Sequence, residues 1–195
     1  MSVLARDTLS LAAVLVAAAL ALVAPAPAAE LPGDSIYRLP VALTDQAGKP
    51  ATLERYRGQP VVISMFYASC PHVCPMLIST VQRMERELAP DRRGRLRVLM
   101  VSLDPDRDSP AVLAELAARH HADLARWTFA RTGAGSVRKL AALLDIQYRQ
   151  LPDGEFNHAT VVTLLDADGR IVAHTGSMLR PDPEFLKSLN DQLAR

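Results

Sequence analysis

Cys70 and Cys74 are the only cysteines in this 195-residue chain, and they stand four apart in Ser69-Cys70-Pro71-His72-Val73-Cys74-Pro75. Two thiols at that spacing can share a disulfide or hold a soft metal ion. They directly follow the apolar run Val61 to Phe66, which reads as a buried strand. A strand that runs into a turn and then a helix exposes the turn's side chains at the carboxyl end of the sheet, where open α/β folds place their chemistry. Pro75 suits a first helical position, so Cys74 is expected near the helix start, where free amides and the helix dipole would lower its pKa.

The compartment decides which chemistry is open to the pair. Arg6 precedes an uncharged stretch from Leu9 to Ala24, and Ala24-Pro25-Ala26 and Ala26-Pro27-Ala28 follow in small-x-small form. Residues 1–29 therefore read as a secretory signal peptide, with an uncleaved anchor as the alternative. A run of 16 residues is shorter than the roughly 20 that span a bilayer, which favours cleavage. No cysteine lies near this segment to carry a lipid. The expected location is the periplasm, with membrane contact only if the segment is retained. In such an oxidising space unprotected thiols tend to pair.

Residues 30–195 are enough for one domain with a proper core. With 22% charged residues, 49% hydrophobic residues and a net charge of +1, the composition excludes disorder and gives no sign of nucleic-acid binding. The densest basic patch, Arg92-Arg93-Gly94-Arg95-Leu96-Arg97, reads as a solvated loop between a helix and a strand.

The elements that must position the cysteines follow from periodicity. Val41, Leu43 and Leu53 around Asp45-Gln46-Ala47-Gly48-Lys49 predict an N-terminal hairpin. After Val61 to Phe66, Leu77, Val81, Met84 and Leu88 mark one helix face, and Arg97 to Leu103 a second buried strand. Ser109-Pro110 caps a helix carrying Leu113, Leu116 and Ala117, Trp127 to Ala130 forms a short strand, and Val137, Leu140, Ala141 and Leu144 mark a further helix. Thr160 to Leu165 and Arg170 to Thr175 flank Asp166-Ala167-Asp168-Gly169 as a hairpin, and Asp182-Pro183 caps the last helix. The expected architecture is an α/β domain with a mixed central sheet flanked by helices.

This order, with a cysteine pair after the first long strand and a late hairpin, resembles a thioredoxin-like fold. Phe66 to Pro75, then Val101-Ser102-Leu103-Asp104-Pro105-Asp106-Arg107-Asp108-Ser109-Pro110, then His158 before the last hairpin, resemble the Sco/SenC family of copper-binding proteins. The resemblance runs from about Leu43 to Gly176. It implies that Cys70, Cys74 and His158 are copper ligands, and that the chain delivers copper to, or prepares, the copper site of cytochrome oxidase. The implied partner is a copper-containing oxidase subunit or another copper chaperone. On its own chemistry the set fits: Cu(I) prefers thiolate, while Cu(II) accepts thiolate and imidazole together. The short segment between Tyr148 and His158, and Phe156-Asn157 before the histidine, depart from the better-known members.

Other candidates have simpler explanations. Two positions along a helix turn a side chain by about 200°, which sets His72 apart from Cys70 and Cys74. His120 and His121 end a helix, His174 sits in a hairpin as a cross-strand partner, and Met76 is expected in the core. Asp104 and Asp108 read as turn and cap residues. The alternative function is a thiol-disulfide oxidoreductase in which Cys70 or Cys74 attacks a partner's disulfide. Three intervening residues, and no proline in Asn157-His158-Ala159-Thr160, favour the metal reading over exchange. A purely structural disulfide would close only a tiny loop with little entropic gain.

Overall fold

The N-terminal hairpin pairs β1 (Ala42–Asp45) with β2 (Pro50–Thr52) in antiparallel register. Its turn is closed by the Asp45 carboxylate, which accepts from the amides of Ala47 at 2.9 Å and Lys49 at 2.8 Å. Gly48 takes the left-handed φ of 73° that this turn requires. The computed structural model describes residues 30–70, 73–178 and 180–195. The proposed signal segment, Pro71, His72 and Leu179 lie outside the described residues.

Strand β3 (Val61–Phe66) is buried at every position, which its apolar sequence, interrupted only by Ser64, anticipates for a strand covered on both faces. It leads through the cysteine turn into α1 (Val73–Glu87). There follow α2 (Pro90–Arg95), β4 (Arg97–Ser102), α3 (Pro110–Arg119), β5 (Trp127–Thr132) and α4 (Ala134–Leu143). A separate two-stranded hairpin, β6 (Tyr148–Gln150) and β7 (Phe156–His158), precedes β8 (Val162–Leu165), β9 (Ile171–Thr175) and α5 (Pro183–Leu193). Among the described residues the main sheet has seven strands in the order β2-β1-β5-β4-β3-β8-β9. Strands β3, β4 and β5 are parallel, and β1, β8 and β9 join antiparallel, so the sheet is mixed.

Alternation along the strands divides the core into two layers. Val62, Val98, Met100, Phe129 and Leu164 pack with α1, α3 and α5 on one face. Val61, Ile63, Met65, Leu99 and Val101 pack with α4 and the N-terminal segment on the other. Both cysteines belong to the first layer. Because β3 and β4 are parallel neighbours, the turns that leave their carboxyl ends meet, and the Leu103 amide donates to the Phe66 carbonyl at 2.6 Å. Among the described residues no helix is long and apolar enough to cross a membrane.

Four expectations change in whole or in part. The arginine patch is not a loop: α2 is a short helix whose side chains tie down neighbouring ends, Arg95 donating to the Leu193 carbonyl at 2.6 Å and Arg92 to Asn190 at 2.9 Å. These partners lie 98 residues away in sequence, beyond the reach of local pattern. Met76 is half-buried rather than core. Ser109 caps α3 as expected, accepting from the Val112 amide, but Asp108 serves the cysteine turn and Ser102 instead of the helix. His158 precedes the last hairpin as expected, but it ends a strand of its own, β7, that the sequence did not show. Two bland expectations hold: His120 caps the end of α3, and His174 pairs across the strands with Thr163, their side chains 3.0 Å apart.

The cap of α5 gives a stability prediction. Asp182 accepts from the amides of Glu184 and Phe185 and from the Thr175 hydroxyl at 2.9 Å. The Thr175 hydrogen bond first, then the two amides, hold its carboxyl below the ordinary aspartate range. A depressed folded-state pKa means that its stabilisation is full above the unfolded value of about 3.9 and is lost as pH falls through and below that range. Asp182→Ala is expected to cost about 1 kcal/mol at neutral pH and clearly less in acid. Urea unfolding of both chains at each pH measures it.

Candidate metal centre

The cysteine turn is built at the carboxyl end of β3. The Cys70 amide donates to the Tyr67 carbonyl at 3.2 Å, closing the turn, and the Cys74 amide in the first turn of α1 points at Cys70 Sγ, 3.4 Å away. Both side chains are thiols rather than a disulfide. Cys70 is 8% exposed and Cys74 2%, so Cys70 is the more accessible of the two.

Burial pushes the Cys74 thiol up, opposed by the Tyr67 amide and reinforced by Cys70 and by Asp108. This corrects the expectation of a lowered pKa: at a nearly closed site desolvation outweighs the helix start. The protonated thiol is the resting form, and a cation must displace its proton.

Asp108 is 2% exposed, and its carboxylate accepts from the Ala68 amide at 3.1 Å and from the Ser102 hydroxyl at 2.5 Å. Burial pushes its carboxyl up, against the Ser102 and Ala68 hydrogen bonds. The Ser102 hydroxyl in turn accepts from the Asp104 amide at 2.9 Å. The Asp-Pro-x-Arg-Asp run thus holds the backbone of the cysteine turn from below, a role that turn and cap propensities did not reveal.

His158 reaches the same region through Tyr67, which sequence reasoning passed over. The Tyr67 side chain lies close enough to Cys70 for the two to influence each other's ionisation, and its ring meets the His158 ring edge-on with centroids 5.8 Å apart. It also packs against Phe156 at 5.2 Å, and its hydroxyl donates to Glu155 at 2.8 Å. Burial, then Glu155 and Cys70, keep this phenol protonated. The sign available in the sequence was an aromatic residue at the end of a buried strand beside two thiols.

The His158 ring is prepared as a nitrogen donor. Its Nδ1 lies 3.1 Å from the Ala159 carbonyl, which can only accept, so Nδ1 carries the proton and the neutral ring keeps its lone pair on Nε2. Burial lowers its pKa, which favours that neutral form. The ring lines a shallow cleft with Gln147, Tyr148, Arg149 and Asn157. Among the described residues no three His, Cys, Asp or Glu side chains are gathered closely enough to hold a metal ion. The Cys74 amide lies 3.4 Å from Cys70 Sγ, and His158 stands against Tyr67 rather than on the cysteines.

A mixed seven-stranded sheet with a dithiol turn after its first long parallel strand defines a thioredoxin-like protein with a cysteine site at the sheet's carboxyl edge. The SCO1/SenC family profile matches residues 30–193, and the chain belongs to that family. It is 27% identical over 140 residues to the mitochondrial protein SCO2 of Saccharomyces cerevisiae, covering 70% of this chain and 46% of that protein. It therefore spans less than half of that relative's length. Among solved structures it is similar to Bradyrhizobium japonicum ScoI with copper bound, at 26% identity and a TM-score of 0.63, covering 78% of this chain and 96% of that one. A SCO1/SenC family lipoprotein from Bacillus anthracis, 19% identical, shares the fold with a TM-score of 0.70 over 77% of this chain and 91% of that one.

Proposed function

We propose that this protein is a periplasmic copper-binding metallochaperone that delivers copper to, or prepares, the copper site of a cytochrome oxidase, with Cys70, Cys74 and His158 as its ligands. The observation that carries the reading is a pair of buried thiols on one turn at the sheet edge, with the Cys74 amide 3.4 Å from Cys70 Sγ, and, packed on the adjacent Tyr67, a histidine whose Nε2 is set as a lone-pair donor. Two sulfurs and one imidazole suit copper better than a hard cation, and they accept either oxidation state. Membership of the SCO1/SenC family, and a similar structure described with copper bound, support the same choice.

Copper is cargo in this reading. Cys70, the more accessible thiol, meets the incoming ion first, and Cys74 closes behind it as both thiols release their protons. The Tyr67 amide that points at Cys74 eases formation of that thiolate. His158 completes the set when the ion needs a nitrogen. The partner is an oxidase subunit or another copper chaperone that offers ligands of its own.

A second reading rests on the same pair. Two thiols on one turn can also form and break a disulfide, so Cys70 could attack a partner's disulfide and Cys74 resolve the mixed intermediate. A copper titration of the reduced full-length chain, followed by absorption and electron paramagnetic resonance, separates them. The metallochaperone reading expects a thiolate-to-Cu(II) charge-transfer band that saturates at one ion per chain. A chain that exchanges disulfides but shows no such band leaves the oxidoreductase reading.

A further inference from the structure

The β6–β7 hairpin that carries His158 is not a member of the seven-stranded sheet. Its ladder and its tip, where the Leu151 amide bonds the Glu155 carbonyl at 2.7 Å, are internal, and an isolated hairpin is marginal in water. Its place beside the cysteines therefore depends on side chains that reach across to the rest of the fold. Tyr148 and Phe156 pack against the two core layers, and Tyr67 reaches the hairpin by the bond to Glu155 and the packing on Phe156. The contact at its tip is Arg107, whose guanidinium donates to the carbonyl of Gly154 and, through Nε, to the carboxylate of Asp104. Gly154 has φ of 86°, and a Cβ there would meet Arg107 Nη1 at 3.1 Å, so the guanidinium lies close against the turn.

What fixes Arg107 also fixes the cysteines. Asp104 is 5% exposed, and its carbonyl accepts from the amides of Arg107 at 3.2 Å and Asp108 at 2.9 Å, closing one tight turn. From that turn Arg107 holds the hairpin tip, and the next residue, Asp108, holds the Ala68 amide of the cysteine turn. The single turn that follows β4 is thus in contact with both halves of the centre.

We propose that the Asp104–Asp108 turn is the common brace that sets the separation of His158 from the cysteine pair, with Arg107 as the positioning residue on the histidine side. This inference rests on the reading of Cys70, Cys74 and His158 as copper ligands. The guanidinium has the right form for the task because its fork can bond a carboxylate and a carbonyl at once. Arg107 is about half exposed, so its removal leaves the packed core intact.

The test compares wild type, Arg107→Ala and His158→Ala as full-length reduced chains. In the metal-free Arg107→Ala chain, amide exchange at Leu151 and Ala159 should speed up by about tenfold or more, while Ile63 and Leu99 in the sheet and the melting temperature stay near wild type. Cu(II) affinity should fall about 10- to 100-fold, the scale seen when a residue that orients a ligand is lost, with weakened nitrogen hyperfine coupling and nearly unchanged Cu(I) affinity. Unchanged hairpin exchange, or loosened exchange with wild-type Cu(II) affinity, overturns the brace while His158→Ala still loses Cu(II). If His158→Ala itself keeps wild-type Cu(II) affinity, the ligand reading fails and the brace fails with it.

Discussion

Serine at either Cys70 or Cys74 is expected to remove tight copper binding from the reduced chain. Each substitution leaves one thiol, and a soft ion loses half of its sulfur donors. Losing only a residue that orients a ligand already costs about 10- to 100-fold in metal affinity, so losing a ligand should cost more than about 100-fold. Competition titration against a Cu(I) chelator measures this. The fold should survive, because the hydroxyl introduced by Cys74→Ser lies near the Tyr67 amide that now faces the sulfur. A buried hydroxyl that bonds imperfectly costs about 1–3 kcal/mol, which the melting temperature will report separately from the metal. Oxidising the wild-type pair to a disulfide should abolish binding in the same way, since neither sulfur can then be a thiolate. Equal binding before and after reduction would place the site elsewhere.

How far the sequence carried depends on how far apart the interacting residues are. Val61 to Phe66 read directly as a covered strand, and Asp182-Pro183 as a helix start, because both signals lie within a few residues. The cysteines were legible for the same reason. The β6–β7 hairpin was not: Tyr148 to Gln150 and Phe156 to His158 are three residues each, too short for a period to show. Its anchors, Arg107 on Gly154 and Tyr67 on Glu155, span 47 and 88 residues. Glu85 makes the same point inside α1. It is a buried acid on the helix face toward the sheet, and only the fold supplies its partners, the Trp127 indole at 2.9 Å and Arg126 at 2.5 Å. The direction of the Cys74 shift failed from sequence because a helix start is a local feature, whereas the burial of the thiol, reinforced by the charge of Asp108, is a tertiary one. The resemblance that implies the ligands was carried by motifs, whereas the contacts of the Asp104–Asp108 turn with the cysteine turn and the hairpin tip lie beyond any local pattern.

The decisive substitution for what the centre does is His158→Ala. It removes an imidazole whose proton is fixed on Nδ1, and with it the nitrogen lone pair, while Cys70 and Cys74 keep their places in the turn. Cu(II), which uses nitrogen and sulfur together, should bind at least about 100-fold more weakly, and Cu(I), held mainly by the thiolates, by less than about tenfold. The edge-on packing of the ring on Tyr67 is also lost, so His158→Gln, of similar reach, serves as the control for shape. Thiol-disulfide exchange should be unaffected by either change, because it needs only the two sulfurs. The two readings of the protein therefore part at this residue. Oxidase copper that is lost in cells carrying His158→Ala, with exchange intact in the purified chain, assigns the function to the metal. Normal copper delivery by that variant, with a cellular defect that follows exchange activity across the cysteine substitutions, assigns it to the dithiol and leaves the histidine a bystander packed on Tyr67.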